Sequence, residues 1–331
     1  MPMKRYLAAL LSLLLLLSLV ACRTGEGTDE TSGSESTAET SDAETTDEVL
    51  NENPAEDFGY DVREDENCVY ITDYRGDSPH VVIPSMIEGK PVTRIYGSFY
   101  EKNHVVSVVI PDTVTVIWEN VFRGCRSLET VVLSKNLAEI KTKAFKDCVN
   151  LSSITLPDTL TQIGDSAFEN CTSLKHINIP ASLTDWGYSI FVDSGIETID
   201  FEEGVEYIGY MAFCNTKVKE ITFPQSLRKI DYGAFWQCRN LKSVVLNEGL
   251  LSIRAVAFGE TQNLTEIVIP QSVEYLDGSF HGCKNLKKAM FEGDAPNIER
   301  LPFVDSCVIY YHEGAEGFAS SEWIGYQTNI W

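Results

Sequence analysis

Apolar side chains recur in one frame through residues 92–304. With Phe168 as reference, Leu151, Ile154, Leu156, Leu160, Ile163 and Ala167 stand at −17, −14, −12, −8, −5 and −1. Pro157 stands at −11, Gly164 at −4 and Cys171 at +3. The same order returns upstream as Val105, Val108, Ile110, Pro111, Val114, Ile117, Val121, Phe122 and Cys125, and downstream as Val218, Ile221, Phe223, Pro224, Leu227, Ile230, Ala234, Phe235 and Cys238. Phenylalanine itself returns at 99, 122, 145, 168, 191, 213, 235, 258, 280 and 303, at intervals of 22 or 23 residues. A period of this length marks a stacked repeat rather than a globular domain.

The spacing predicts the elements of one coil. Ile154 and Leu156 are two apart and point to the same side of a short strand. Pro157 ends that strand's pairing because it has no N–H to donate. Leu160 and Ile163 are three apart, which suits an extended or helical-turn return path. Gly164, Gly187 and Gly209 share position −4, where a tight turn needing positive φ is the expected reason for glycine. One coil cannot bury its own apolar side, so stacked coils share a core of Leu, Ile, Val and Phe. About ten coils spaced roughly 4.8 Å apart give an arc of about 45 Å.

The frame L-x-x-I-x-I-P-x-x-L-x-x-I-G-x-x-A-F-x-x-C resembles the leucine-rich repeat of the BspA and Treponema type. The resemblance implies a repeat solenoid: a leucine-rich-repeat arc with short parallel strands on the concave face, irregular or short helical turns on the convex face, and strand-rich caps. Residues 58–91 read as the N-terminal cap, with a strand at Val69-Tyr70-Ile71-Thr72, a turn at Arg75-Gly76-Asp77, then Val81-Val82-Ile83-Pro84 and Glu88-Gly89-Lys90-Pro91. Residues 305–331 read as the C-terminal cap, with Val308-Ile309-Tyr310-Tyr311 followed by Trp323, Tyr326 and Trp331. The caps are expected to cover the open faces of the stack. Glu202 and Asn247 replace Pro at −11, and the coils ending at Phe213, Phe235 and Phe280 lack one residue. Small local bends, not loss of fold, are expected there.

The chain before the repeat is of different material. Lys4 and Arg5 precede an apolar run from Leu7 to Val20, broken only by Ser12 and Ser18. The run is short for a membrane span and fits the h-region of a secretory signal peptide. It ends in Leu19-Val20-Ala21-Cys22, which resembles the bacterial lipobox. The resemblance makes residues 1–21 a lipoprotein signal peptide and Cys22 a lipidated N-terminus on the extracellular face of the bacterial membrane; ordinary signal cleavage with an incidental Cys22 is the other reading. Residues 22–57 then form an acidic tether, rich in Ser and Thr, with 12 Asp/Glu, 11 Ser/Thr and one Arg among residues 23–57. Such a segment buries too little apolar surface to offset the entropy of ordering, and its like charges extend it. It reads as a spacer, or as a glycosylated or cation-binding stalk.

Charge changes this picture only by location. The 331 residues carry a formal charge of −23, a poor match to nucleic acid or anionic lipid. The tether accounts for −11 of it and residues 58–331 for −14, offset by +2 in the first 22 residues. Membrane contact is therefore expected through the lipid anchor alone. A prior of roughly 150 residues per domain gives about two domains; the repeat replaces that with one stacked array.

Candidate chemistry is sparse. Cys125, Cys148, Cys171, Cys238 and Cys283 all occupy +3, a position that becomes Ser194, Thr261 and Ser306 in other coils. A site that accepts Cys, Ser or Thr calls for a small side chain, so buried free thiols are expected; parallel inward Cβ atoms are poor bridge geometry, though inter-coil disulfides stay open. The five histidines, His80, His104, His176, His281 and His312, form no zinc pattern, and no H-E-x-x-H, G-x-S-x-G or phosphate-binding glycine loop occurs. No catalytic residue, metal or cofactor is expected, and the chain reads as a non-enzyme.

Two surface rows are the binding candidates. Residues between the core positions of each strand face outward, among them His176, Asn178, Thr198, Asp200, Glu220 and Thr222. Such a row is either ordinary strand composition or a long shallow recognition surface. Tyr188, Tyr210 and Tyr232 share −3 in consecutive coils, flanked by Trp186 and Trp236. They are either stacking partners that stiffen the turns or an aromatic surface for sugar rings or protein side chains. The resemblance implies adhesion: a monomeric cell-surface lipoprotein binding a protein or glycan ligand on host, matrix or other cells. An envelope-organising protein with a partner in its own cell wall is the alternative.

Overall fold

The computed structural model describes residues 51–97, 99–323 and 325–331. Cys22, the signal segment and most of the tether lie outside these. Residues Glu52–Trp331 form one compact unit. It starts earlier than the cap boundary at 58, because Asn53 is tied to the cap. The Asn53 amide donates to the Val82 carbonyl (2.8 Å), and the Val82 amide donates back to Asn53 Oδ1 (2.8 Å). A 3-10 turn, Ala55–Asp57, leads into the first strand.

The unit is a solenoid built almost wholly of short strands and turns. Strands His80–Val82, Ser107–Val109 and Thr130–Val132 pair in parallel, one per coil. Later coils continue with His176–Ile179 on Thr198–Phe201, Glu220–Thr222 on Ser243–Val245, and Glu266–Ile269 on Lys288–Phe291. Within this line Ile154 and Leu156 are buried, as their spacing requires. The coil between 151 and 163 keeps only a single bridge, Thr130 to Ser153. There the Asn178 side chain takes over the pairing: Leu156 N–H donates to Asn178 Oδ1 (2.9 Å), and Asn178 Nδ2 donates to the Leu156 carbonyl (2.8 Å).

The return path holds a second parallel ladder that the spacing of Leu160 and Ile163 did not reveal. Lys90–Ile95, Val116–Ile117, Glu139–Ile140, Gln162–Ile163 and Asp185–Trp186 pair in succession. After a break, Tyr207–Ile208, Lys229–Ile230, Ser252–Ile253 and Tyr275–Leu276 do the same. A third line of inter-coil bonds runs past the phenylalanines. Ser166, Phe168 and Asn170 donate to the carbonyls of Tyr188, Ile190 and Val192 at 2.8, 2.8 and 2.9 Å. Three bonding lines per coil satisfy most of the backbone of a chain that has few long strands.

Those alternating bonds need two left-handed residues per coil, at −2 and +2. Asn120, Lys143, Ser166, Ser189 and Met211 fill the first position and Asp147, Asn170, Asp193 and Asn215 the second, all with φ between 51° and 64°. Asn and Asp tolerate this region better than most residues; Lys143, Met211 and Val256 (φ 47°) adopt it because the stack holds them there. The glycines at −4 serve another purpose. Gly164, Gly187 and Gly209 do not have positive φ. A Cβ on Gly164 would lie 2.4 Å from the Thr142 nitrogen, and one on Gly209 would lie 2.8 Å from Trp186 Cβ. Glycine is there so that one coil can press on the coil before it.

The core is a continuous stack of rings. The ten phenylalanines are buried, and neighbouring centroids from Phe99 to Phe303 lie 4.9–5.5 Å apart. Tyr74 continues the stack at the N-terminal end, 5.2 Å from Phe99. Tyr326, 23 residues after Phe303, closes it edge-on at 6.0 Å. The N-terminal cap pairs Phe58–Arg63 antiparallel to Cys68–Tyr74, which runs parallel to Lys90–Ile95. At the other end Val308–Tyr311 lies between Lys288–Phe291 and Gln327–Ile330. Trp323 is buried, but Trp331 is half exposed and stacks on His312 at 4.6 Å.

Where Pro is missing at −11, the substitute makes bonds that Pro cannot. The Glu202 amide donates to the Ile179 carbonyl (3.0 Å) and its carboxylate accepts from the Ala181 amide (3.0 Å). Asn247 is buried and donates Nδ2 to the carbonyls of Gln225 (3.2 Å) and Leu227 (3.0 Å).

Candidate functional site

The two surface rows differ in what remains free on them. Along the first ladder, His176 Nδ1 bonds Thr198 Oγ1 at 3.0 Å, and His176 Nε2 lies 3.6 Å from Asp200. Asn178 spends its amide on the Leu156 backbone and is a structural residue. Glu220 and Thr222 stand exposed on the same face. Beside them Glu197 is held below the ordinary carboxyl value by hydrogen bonds from Lys219 and Lys175. This row is polar, and the flanking Lys175 and Lys219 pair with Glu197.

The tyrosine row is apolar and open. Tyr188 is 62% exposed, Tyr210 36% and Tyr232 37%. Tyr210 and Tyr232 stack at 5.0 Å with rings 10° from parallel. Tyr188 meets Tyr210 edge-on at 5.4 Å. The two tryptophans do not extend this surface. Trp186 is partly buried, packs edge-on to Phe213 at 6.3 Å, and leaves its indole Nε1 buried without a partner. Trp236 is half buried on the turn after Phe235, against Gly259.

Three residues that the sequence alone does not single out anchor the Tyr232 end of the row. Asp231 accepts the Tyr207 hydroxyl, the Tyr232 amide at Oδ1 (2.7 Å) and Lys229 Nζ (3.2 Å). Lys229 also lies 5.1 Å over the Tyr207 ring. Burial works against the Asp231 charge, but the bonds from Tyr207, Tyr232 and Lys229 outweigh it and hold the carboxyl below its ordinary value of 3.8. Burial and then Asp231 push the Tyr207 hydroxyl well up. The available signal was position −4, which runs Gly164, Gly187, Gly209 and then breaks to Asp231.

Asp231→Asn is therefore expected to lower stability at neutral pH. A carboxyl with a depressed folded value stabilises fully above its unfolded value and loses that contribution as pH falls through the folded one. The melting-temperature gap between wild type and Asp231→Asn should be open at pH 7 and close as the pH drops below about 3.8. A gap that stays constant down to pH 2.5 would show that the carboxylate charge is not what holds the patch.

The cysteines are explained without chemistry. All eight in the described residues are free and buried. Those at +3 bond the carbonyl of the preceding coil's phenylalanine: Cys125 to Phe99 at 2.7 Å, Cys148 to Phe122 at 3.0 Å, Cys171 to Phe145 at 3.2 Å, Cys238 to Phe213 at 3.1 Å and Cys283 to Phe258 at 3.1 Å. Thr261 uses its hydroxyl on the Phe258 carbonyl (2.9 Å). The position needs a small side chain more than a particular bond: Thr261 turns to the phenylalanine of its own coil, and the Ser194 hydroxyl is buried without a partner. Burial raises the Cys125 thiol to about 12 and Cys238 to about 11, so neither is a ready nucleophile or ligand. Among the described residues no group of three or more His, Cys, Asp or Glu is placed to hold a metal.

Comparison with known proteins places this architecture. No curated protein sequence matches the chain. The chain is similar in structure to a leucine-rich repeat protein from Bacteroides ovatus, with a TM-score of 0.67 and 23% identity over 86% of this chain and 76% of that one. It is also similar to the leucine-rich repeat protein of Treponema pallidum, with a TM-score of 0.50 and 28% identity over 71% of this chain and 91% of that one. The family model described as the BspA type leucine rich repeat region matches in six copies, over residues 93–217 and 206–313. That span holds the phenylalanine frame, most of both inter-coil ladders and the tyrosine patch, and the chain belongs to the BspA-type leucine-rich-repeat family.

Proposed function

We propose that this chain is a bacterial surface lipoprotein, anchored at Cys22, whose tyrosine face binds a protein partner on host, matrix or other cells without any covalent step. The observation that supports it most is the exposed, pre-stacked trio Tyr188, Tyr210 and Tyr232. Tyrosines already held in place lose little entropy on binding, and Tyr is enriched among the residues that carry interface energy. The polar side chains of the first ladder, with Lys175 and Lys219 paired to Glu197 beside them, suit the polar rim of such a contact.

The test is to immobilise host matrix proteins and mucin glycans and measure binding of the chain. The double variant Tyr188→Ala/Tyr210→Ala should weaken a protein interaction by about 30-fold or more, the effect of one hot-spot residue or better. Saturable binding that survives the double variant would remove the tyrosine face from the reading. Binding confined to the organism's own envelope fraction would favour the envelope-organising role instead.

A further inference from the structure

A second site lies at the N-terminal end of the solenoid, where the N-terminal cap meets the return-path ladder. A cavity of about 310 Å³ opens there, lined by Asp61, Arg63, Tyr70, Arg94, Tyr96 and Trp118. Its floor is built by strand register. Asp61 pairs with Tyr70, and Tyr70 with Arg94, across three adjacent strands. The Arg63 and Arg94 guanidinium carbons lie 5.4 and 4.9 Å from the centre of the Tyr70 ring. One wall is aromatic: Tyr96, 49% exposed, meets Trp118 with centroids 5.3 Å apart. Thr72 adds a hydroxyl to the lining.

We infer that this cavity is a binding site for a neutral saccharide, one or two pyranose rings deep. A pyranose has an apolar C–H face and a rim of hydroxyls. The cavity has both complements: the tilted Tyr96–Trp118 pair for the face, and guanidinium donors, a carboxylate acceptor and a hydroxyl for the rim. Its volume falls at the small end of the roughly 300–1,000 Å³ range of ligand sites, too small for a docked helix. An extended peptide could add only beside Phe58–Arg63, the end strand of its sheet, away from the Tyr96–Trp118 wall. The two arginines do not add up to an anion site. Arg63 lies 3.8 Å from Asp65, and Arg94 lies 3.6 Å from Glu66, whose carboxylate also accepts the Tyr70 hydroxyl. With those charges answered, the guanidinium groups serve as oriented hydrogen-bond donors. The site shares no residue with the tyrosine face, so the two readings fail separately.

Saturation-transfer NMR on the purified chain tests this, with cellotetraose, chitotetraose, mannotetraose and tetragalacturonate as probes. At least one neutral tetraose should give a saturable signal, strongest on its ring C–H protons. Trp118→Ala should abolish it, and Arg94→Ala should weaken binding about tenfold, the loss of one charged hydrogen bond. Tyr188→Ala/Tyr210→Ala should leave it unchanged. If Trp118→Ala melts below the assay temperature, the exposed Tyr96→Ser carries the same expectation. The site is overturned if no neutral tetraose binds, if only tetragalacturonate binds, or if binding persists in folded Trp118→Ala or Tyr96→Ser.

Discussion

Phe168→Ala is expected to destabilise the solenoid by about 3–5 kcal/mol, the usual cost of removing a buried phenylalanine, and to divide its unfolding into two steps. Phe168 has no exposed surface and touches a ring on each side, Phe145 at 5.1 Å and 4° from parallel, Phe191 at 5.3 Å and 12°. Each aromatic pair adds about 0.5–1.5 kcal/mol beyond its buried area. One substitution removes two of them. In a repeat protein, stability is close to a sum of coil terms and nearest-neighbour interfaces. Weakening two successive interfaces near the middle therefore uncouples the coils on either side. Urea unfolding followed by tyrosine and tryptophan fluorescence should show a second transition that wild type lacks. A single transition with a loss below about 1 kcal/mol would mean that the ring stack is a consequence of the backbone ladders and not a cause of stability.

The phenylalanine frame made this core legible from the sequence, because every core position recurs at a fixed offset and a period of 22 or 23 cannot serve any other architecture as well. The first ladder was legible for the same reason: Ile154 and Leu156 alternate, and alternation names a strand. The second ladder was hidden because most of its strands are only two residues long, as at Gln162–Ile163 and Lys229–Ile230. Two residues cannot show a period. The left-handed positions were hidden because Lys143, Ser166 and Val256 carry no local preference for positive φ; the stack imposes it. Glycine at −4 was visible but ambiguous, since absence of a Cβ serves a turn and a close approach equally well.

The sites follow the same division. The tyrosine row shares one offset and could be read directly, whereas its support from Asp231, Lys229 and Tyr207 depends on which side chains cross between coils. Asn178 was read as a surface residue because it sits at an outward offset, and only the missing strand at 154–156 turns its amide inward to the Leu156 backbone. The saccharide cavity draws its lining from four separate strands whose register no single stretch of sequence records.

Gly187→Ala is the second large effect, and it links the stack to the tyrosine face. A Cβ on Gly187 would lie 2.4 Å from both the Asp165 nitrogen and the Gly164 carbonyl carbon. Both are backbone atoms, so no side chain can rotate away and the two coils must separate. The Gly187 amide donates to the Ile163 carbonyl at 2.7 Å, and separation stretches that bond as well. The cost should reach about 3 kcal/mol, the upper end of ordinary overpacking. Gly325→Ala is the control: no atom lies within 4 Å of its added Cβ, and its effect should stay within about 0.5 kcal/mol. The displacement also reaches the candidate site, because the next amide, Tyr188 N–H, donates to Asp165 Oδ1 at 2.8 Å. Amide exchange should therefore speed up around residues 163–188 in Gly187→Ala at temperatures where the rest of the array is protected. A Cβ on Gly164 would press instead on Lys141 and Thr142 of the coil before it, a different contact, so the losses in Gly164→Ala/Gly187→Ala should be close to the sum of the two single losses. Equal melting temperatures for Gly187→Ala and Gly325→Ala would remove the close-packing role of position −4 and return it to the turn.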